Sequence, residues 1–320
     1  MQIRSFVFAV LMGLGLGLAA ETSLERASNL LKTRQHVEAQ ALLERVIQAE
    51  PRNAEALVLL GEVHLRLRNP TKAQECASKA LQLDPNQAAP HCLKANALSM
   101  QIGQVNMFKK LSMASEIRAE YEKALKLDPR HNIARQGLFQ FYLQAPSIAG
   151  GGTDKAAAFA EQTLGVNPSL GHSMKALIHQ HKKDLGAAQA EYRLAIASDP
   201  RYAPAYNNLG YVELEMKQVD MALDHFRKLV TLEPENANSF DSLGDGLMAK
   251  GQVDEAIASY LHATALDPGF PVAFYHLGQA LERKGQGAEA VANYRRAAGL
   301  RPEDRYVRRA KERLTALGQK

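Results

Sequence analysis

The sequence predicts an all-α fold, a right-handed superhelical solenoid in which short helix pairs stack one on the next. Prolines recur every 34 residues in the second half of the chain, and a leucine–glycine pair, an alanine and an aromatic residue recur in step with them. Self-similarity at this period indicates a solenoid, because one unit cannot bury its own apolar face and must stack on its neighbours. The recurring residues are Pro200, Pro234, Pro268 and Pro302; Leu209, Leu243 and Leu277; Gly210, Gly244 and Gly278; Ala222, Ala256 and Ala290; and Phe226, Tyr260 and Tyr294.

Each of these residue types has a physical reason for its position. A bulky aromatic residue lies three positions before each recurring leucine, so the two share one face of a first helix. The glycine marks the place where two helices cross too closely for a side chain. The proline ends the second helix, because it lacks an N–H group and clashes with the preceding turn. An aspartate often precedes that proline, as in Asp84-Pro85 and Asp267-Pro268.

The pattern resembles that of the tetratricopeptide repeat family. The leucine, glycine, alanine, aromatic and proline positions all match, and Tyr206, Phe240 and Phe274 occupy the place of the family's usual tryptophan, which this chain lacks. The resemblance implies helix pairs whose first helices line a concave groove. It also implies that a protein or peptide partner binds in that groove.

The same template extends toward the N-terminus. Pro51 and Pro85 close two earlier repeats, and the intervals that end at Pro129, Pro168 and Pro200 are 44, 39 and 32 residues long. The third and fourth repeats therefore contain insertions. We predict eight repeats in an array over residues 21–304, with approximate bounds 22–53, 54–87, 88–131, 132–170, 171–202, 203–236, 237–270 and 271–304.

Residues 1–20 have the pattern of a secretory signal peptide. Arg4 precedes an apolar stretch over residues 6–18, and the small residues Ala19 and Ala20 follow it. The stretch is shorter than the roughly 20 residues of a membrane-spanning helix. We expect cleavage after Ala19 or Ala20, no stable membrane insertion afterwards, and a periplasmic or secreted protein. An uncleaved N-terminal anchor is the alternative.

The insertion in the third repeat, near residues 103–115, is predicted to lengthen the second helix. Met107, Leu111 and Ala114 continue one apolar stripe into that helix, and neither proline nor glycine interrupts it. The extension is too apolar to stand bare in water, so we expect it to pack against the glycine-rich loop 145–153 of the fourth repeat or against a partner. A loop over residues 103–115 is the alternative for the insertion. The loop 145–153 is expected to be a lengthened turn, and a partner contact or a weak anion site is the alternative.

Two sets of side chains are candidates for partner binding. The first is on the first helix of the fifth repeat, at one-face spacing, and predicts a basic part of the groove that takes a carboxylate or an acidic peptide. Its alternative is a solvated charged face, and we expect no metal site. The second set is of the type that hydrogen-bonds a peptide backbone. The first set is His172, Lys175, His179 and Lys182; the second is Asn207, Tyr211, Asn238, Asp241, Asp245 and Tyr275.

The array is expected to end in a capping helix over residues 305–320. Tyr306, Ala310, Leu314 and Leu317 form one apolar stripe, and arginines occupy the opposite face. A polar outer face over the last apolar edge is the usual cap of a solenoid.

The composition favours a helical array over other classes. The formal net charge of +5 comes from basic residues that are spread over the repeats, so we expect no nucleic-acid binding. Cys76 and Cys92 lie in helices that should pack together, which leaves open a disulfide or two small buried side chains.

The function predicted from these features is a non-catalytic scaffold for protein or peptide binding, without a cofactor. No nucleophile elbow, phosphate loop, dinucleotide fingerprint or zinc spacing occurs in the sequence. The resemblance together with the N-terminal segment points to assembly of a secretion, pilus or polysaccharide-export complex in the cell envelope. The alternatives are a receptor for an anion or small molecule and a regulatory subunit of a separate enzyme.

Overall fold

The computed structural model describes residues 23–33, 35–300 and 304–318. Every regular element within them is a helix, which confirms the all-α prediction and its arrangement in helix pairs. The chain divides into two compact units, Met1–Phe159 and Ala160–Lys320. The predicted signal peptide at residues 1–20 lies outside the described residues.

Over its described residues, the first unit contains seven complete helices and the start of an eighth. Short 3₁₀ turns, Ile102–Gln104 and Ser147–Ala149, precede α6 and α8. Its apolar core is built from one side of each helix and includes Leu43, Val63 and Ile117. The helices are α1 (23–32), α2 (His36–Ala49), α3 (Ala54–Arg66), α4 (Pro70–Leu83), α5 (Ala88–Gln101), α6 (Met107–Leu127), α7 (Asn132–Gln144) and α8 (Thr153–Leu164).

The second unit continues the same alternation of first and second helices. Large buried side chains such as Tyr192, Phe226 and Tyr294 come from the second helices. They fill the space against the first helices of the same and neighbouring pairs. The helices are α9 (Pro168–His181), α10 (Leu185–Ser198), α11 (Ala203–Glu215), α12 (Val219–Leu232), α13 (Ala237–Lys250), α14 (Val253–Leu266), α15 (Pro271–Arg283), α16 (Gly287–Ala298) and α17 (Arg305–Ala316).

The recurring glycine lies where the two helices of a pair touch. A Cβ atom on Gly244 would come within 2.4 Å of the Tyr260 ring, and one on Gly278 within 2.6 Å of the Tyr294 ring. Real Cβ contacts are not that short, so the aromatic residue of the second helix and the glycine of the first helix are a matched pair.

The aspartate before each proline has a specific role in the turn between repeats. The Asp84 carboxylate accepts a hydrogen bond from the backbone N–H of Asn86 at 2.9 Å, and Asp267 accepts one from Gly269 at 2.9 Å. Such a bond holds the turn after the second helix while proline prevents the helix from continuing.

The insertion in the third repeat is helical, as the sequence predicted. Helix α6 has 21 residues, whereas the second helix of the preceding repeat, α4, has 14. Asn106 caps the new N-terminus, since its side chain accepts a hydrogen bond from the Lys109 N–H at 3.0 Å.

The glycine-rich loop after α7 is held by hydrogen bonds. The Gly152 N–H donates to the Tyr142 carbonyl at 2.7 Å, and the Lys155 ammonium donates to the Gly150 carbonyl at 3.0 Å. Gly150 has φ of 91°, a left-handed conformation that suits glycine. The loop therefore presents its side chains in a defined arrangement.

The C-terminal helix α17 packs its apolar stripe onto the last repeat. Val307, Ala310 and Leu314 are buried, and Asp304 caps the helix by accepting from the Tyr306 N–H at 2.7 Å. The described part of this helix thus covers the apolar edge left by α15 and α16.

Cys76 and Cys92 are both buried free thiols. Burial, with the charge of Glu62, raises the pKa of Cys92 to about 12. Among the described residues, no helix has both the length and the apolar character needed to cross a bilayer.

Candidate peptide-binding face

Three consecutive first helices of the second unit, α11, α13 and α15, bring polar side chains together on one face. Asn207 and Tyr211 lie on α11, and Asp241 and Asp245 lie on α13. The structure thus groups four residues that the sequence predicted as binding residues. It adds Ser242, Tyr260 and His276, and these seven side chains form what we call the polar network.

The part of the network between α11 and α13 centres on Ser242. Its hydroxyl donates to the Asn207 Oδ1 atom at 2.8 Å and lies 3.1 Å from the Tyr211 hydroxyl. The Tyr211 hydroxyl donates to Asp245 Oδ2 at 2.9 Å. Each side chain is therefore held by a partner on the neighbouring first helix.

The part between α13 and α15 repeats the same geometry with different side chains. His276 Nδ1 lies 3.0 Å from Asp241 Oδ1 and 3.2 Å from Asp245 Oδ1. Tyr260, on the second helix α14, donates to Asp245 Oδ1 at 2.7 Å. Ser242 and His276 are 34 positions apart and so occupy equivalent places in consecutive repeats.

Burial, hydrogen bonds and neighbouring charges together set the protonation of this network. Burial lowers the pKa of His276, but the hydrogen bond to Asp241 and the charges of Asp245 and Asp241 outweigh this effect and raise it. Burial raises the pKa of Asp241. Burial and the negative charge of Asp245 both raise the pKa values of Tyr211 and Tyr260. Both tyrosines therefore remain hydrogen-bond donors at neutral pH.

Asp241, Asp245 and His276 have the donor types of a divalent-cation site. Their ligand atoms lie within 4.8 Å of one another. The same atoms are already hydrogen-bonded to each other, and Asp245 also accepts from Tyr260. We therefore assign them a structural role in fixing α13 against α15.

Tyr275 and Asn238 lie beside the network. The Tyr275 ring packs on Tyr294 and Tyr306 with centroid distances of 5.7 and 5.5 Å. Asn238 is half-buried in the first turn of α13. Within the described chain, the Tyr275 hydroxyl, the Asn238 side-chain amide and the Asn207 amide nitrogen make no hydrogen bond. These groups can still bind a partner.

The basic residues of the fifth repeat have different surroundings. His172 Nδ1 lies 2.7 Å from Glu191 Oε2 on α10, and Lys175 Nζ lies 3.3 Å from Glu191 Oε1 and 3.6 Å from Glu161. His179 is 3.8 Å from Asp184, whereas Lys182 is exposed at the end of α9. Intramolecular carboxylates thus offset much of the positive charge that the sequence predicted here.

These residues have different surroundings because α9 begins earlier in the chain than the predicted start of the fifth repeat at residue 171. Other first helices begin three residues after the proline, as α11 does at Ala203 after Pro200, but α9 begins at Pro168 itself. The interval from Pro168 to Pro200 is two residues short of 34, so a register counted from Pro168 misplaces the α9 side chains by two residues, a rotation of about 200° around the helix. His172 and Lys175 consequently contact the second helix α10, away from the polar network.

The same ion-pair arrangement occurs in the first unit. His91 Nδ1 lies 2.5 Å from Glu120 Oε2, and Lys94 Nζ lies 2.8 Å from Glu120 Oε1. Burial alone would raise the pKa of Glu120, but hydrogen bonds from Lys94 and His91 outweigh it and lower the pKa. The sequence signal that we missed is a His-x-x-Lys in a first helix followed by Glu-Tyr in the second, which occurs in the third and fifth repeats.

Comparison with known proteins identifies the repeat. Family models described as tetratricopeptide repeats match residues 30–97, 172–202, 203–236, 244–285 and 272–304, together more than half of the sequence. The chain belongs to the tetratricopeptide repeat family. Members of this family are typically protein-binding scaffolds, and the match supports that class of function for this tetratricopeptide repeat protein.

The similar proteins share the repeat fold and little sequence. The probable UDP-N-acetylglucosamine–peptide N-acetylglucosaminyltransferase SPINDLY of Hordeum vulgare is 27% identical over 205 residues, which are 63% of this chain and 17% of that protein. Yeast Tom70 superposes with a TM-score of 0.70 at 17% identity, over 93% of this chain and 65% of its own. The Thermus thermophilus protein TTC0263 gives 0.53 at 19% identity, over 61% of this chain and 99% of its own. At these identities the two structures show the fold alone.

Proposed function

We propose that this protein is a non-catalytic scaffold that holds an extended segment of a partner protein on the face formed by α11, α13 and α15. The polar network carries this proposal, because it fixes side chains of three consecutive first helices before any partner arrives. A preorganised face loses little side-chain entropy on binding. Next to it, Asn207, Asn238 and Tyr275 retain groups that can bond to a peptide backbone.

The chemistry of the face favours a basic or neutral peptide. Two carboxylates, Asp241 and Asp245, surround the single imidazole of His276. A partner segment with lysine or arginine beside its backbone N–H groups complements this charge. The alternative of an anion receptor at the fifth repeat is less well supported, because Glu191 and Glu161 pair with Lys175.

We propose further that the scaffold acts in the cell envelope, in assembly of a secretion, pilus or polysaccharide-export complex. The apolar stretch after Arg4 and the small residues Ala19 and Ala20 are the observations behind this location. Intact-mass measurement on protein from its own host should show that residues 1–19 or 1–20 are missing. A full-length product in the cytosol would refute the location and leave the binding face untouched.

Photo-crosslinking in the host tests the face directly. A benzophenone amino acid in place of Asn238 should crosslink one partner protein, whereas the same probe in place of Lys228, exposed on the second helix α12, should not. With the purified partner, the Asn207→Ala/Asn238→Ala double variant should lose about thirtyfold in affinity, since two lost hydrogen bonds at about 1 kcal/mol each remove about 2 kcal/mol. Equal capture by both probes and an unchanged affinity would reject this face.

A further inference from the structure

A long apolar groove lies in the first unit, between the extended part of α6, helix α7 and the loop that follows α7. Its volume is about 760 Å³. Leu111 and Ala114 line it from α6, Phe141 from α7, and Pro146 and Ile148 from the loop. The sequence predicted that the extension of α6 would pack on this loop, and the two do face each other, but the space between them is not filled.

The groove has the length of a short helix. The α6 residues that line it run from Met107 to Tyr121 at intervals of three or four residues, a distance of about 21 Å at 1.5 Å per residue. The residues from α7 also recur at helical spacing, from Gly137 to Gln144. A groove bounded by two helices at this spacing is a usual docking place for the apolar face of a third.

The apolar surface continues from the groove onto Phe108, which follows Met107 in the chain. Phe108 is 88% exposed, Ile148 is 81% exposed and Met107 is 69% exposed. Exposed apolar side chains next to each other mark an interaction surface, and methionine adapts to different partners. Ile148 is presented by the loop that the Gly152–Tyr142 hydrogen bond fixes, so the surface is preorganised.

Among the residues that line the groove, Lys110 alone is charged, while Glu116, Glu120 and Glu122 lie elsewhere on α6. Residues 99–115 and 132–153 contain no aspartate or glutamate, whereas Lys109 and Lys110 lie in the first turn of α6. The positive end of the α6 helix dipole is at the same place. One end of the groove is therefore cationic, and the other end, near Tyr121, has no charged side chain in its lining.

We propose that this groove binds an amphipathic helix of a partner protein, a helix with an apolar stripe of about four turns and acidic residues at one end. The stripe fills the space between α6 and α7, and the acidic end lies against Lys109 and Lys110. A small amphiphile such as a fatty acid could fill the groove, but it would leave Phe108, which does not line the groove, exposed to water. The proposal does not depend on the binding face of the second unit.

Synthetic helical peptides of about 18 residues provide the probe, because a stripe of about four turns takes roughly 14 residues and the charged end takes the rest. One peptide has a leucine and methionine stripe with glutamates at one end, a second has lysines there, and a third has the stripe scrambled. Fluorescence anisotropy with the full-length protein should show saturable binding of the glutamate peptide and none of the scrambled one. Palmitate is tested as a competitor.

Charge reversal is the decisive comparison. The double variant Lys109→Glu/Lys110→Glu should lower the affinity for the glutamate peptide about tenfold and raise the affinity for the lysine peptide. Charges at the edge of a binding site select partners by the sign of their charge. Lys123→Glu/Lys126→Glu is the matched control on exposed positions of the same helix and should change neither affinity. Ala114→Leu should fill the groove and weaken both peptides. If the Ala114→Leu variant fails to fold, Ile148→Ser on the exposed loop is tested in its place. We expect the same loss of affinity for the peptides.

Three results would overturn the proposal. The glutamate peptide and the scrambled peptide could bind equally, which would remove the groove as a helix site. Palmitate could bind saturably while no peptide binds, which would assign the groove to a small amphiphile. A dimer in sedimentation that Phe108→Ser abolishes, without peptide binding, would assign the surface to a second copy of the chain.

Discussion

The regular repeats around α13 and the repeat around α6, which contains the insertion, differ in the side chains that they place outside the apolar core. Where the spacing is 34 residues, a polar side chain such as Ser242 meets its partner on the neighbouring first helix. Where the insertion makes α6 seven residues longer than α4, apolar side chains such as Phe108 are exposed. The regular spacing therefore brings polar side chains of neighbouring repeats into contact, whereas the insertion exposes apolar side chains to solvent.

Within the binding face of the regular repeats, the largest expected effect on stability is that of Asp245. Asp245→Ala removes the acceptor of Tyr211, Tyr260 and His276 together. Three buried or half-buried groups would lose a partner, so we expect a loss of about 3 kcal/mol in unfolding free energy. Thermal unfolding followed by circular dichroism measures it.

Asp254→Ala is the matched control for that prediction. Asp254 pairs with Lys284, but its side chain is 79% exposed, so the change should be within about 0.5 kcal/mol. If the two aspartate variants melted alike, the polar network would have no stabilising role.

The next effect compares two glycines. Gly244→Ala places a methyl group against the Tyr260 ring, 2.4 Å away, and should cost about 2 kcal/mol through overpacking. Gly103→Ala, before the inserted helix, meets nothing within 4 Å and should be neutral or slightly stabilising. The melting temperatures of the two variants check this, and similar values would contradict the close helix crossing.

Much of this fold could be predicted from the sequence, because it depends on residues that recur at a fixed spacing. Gly244 with Tyr260 and Gly278 with Tyr294 gave the helix crossing, and the uninterrupted stripe through Leu111 gave the long α6. The direction of His172 could not be predicted in the same way. It depends on whether Pro168 ends one helix or begins the next, and proline is suited to both places.

The binding face was predictable only in part for a related reason. Asn207 and Asp245 belong to types that recur on groove-lining positions, but the network that fixes them also needs Ser242, Tyr260 and His276. None of those three residues, considered alone, indicates a functional site in the sequence. Only contacts between repeats, across 31 and 35 residues, show that they act together.

A smaller effect is expected from pH. The pKa of His276 is raised above its ordinary value of 6.5 by Asp241 and Asp245, which outweigh burial and the charge of Arg309. The protonated form is therefore stabilised by folding. This contribution is fully present below pH 6.5 and is lost as the pH rises through the folded-state pKa. Stability should fall with rising pH above that point.

The His276→Asn variant should show a flatter dependence of melting temperature on pH over the same range. His181→Asn removes an imidazole that is exposed at the end of α9 and should leave the wild-type dependence unchanged. A wild-type melting temperature that rises with pH above neutrality would mean that the imidazole is not held between the two carboxylates.

The smallest expected change in unfolding free energy is for a variant of the lengthened helix α6. It tests the repeat with the insertion, whereas the preceding predictions test mainly the regular repeats. Phe108 is 88% exposed, whereas Phe226 on α12 is fully buried. Phe226→Ser should cost several kcal/mol, about 3 to 5 by analogy with buried Phe→Ala. Phe108→Ser should stay within about 0.5 kcal/mol of the wild type, because a bare side chain loses no packing when it is removed. Thermal unfolding at several protein concentrations measures both. If Phe108→Ser lowered the melting temperature, and more so at high concentration, the ring would already be packed on a second copy, and the inserted repeat would be closed by self-association.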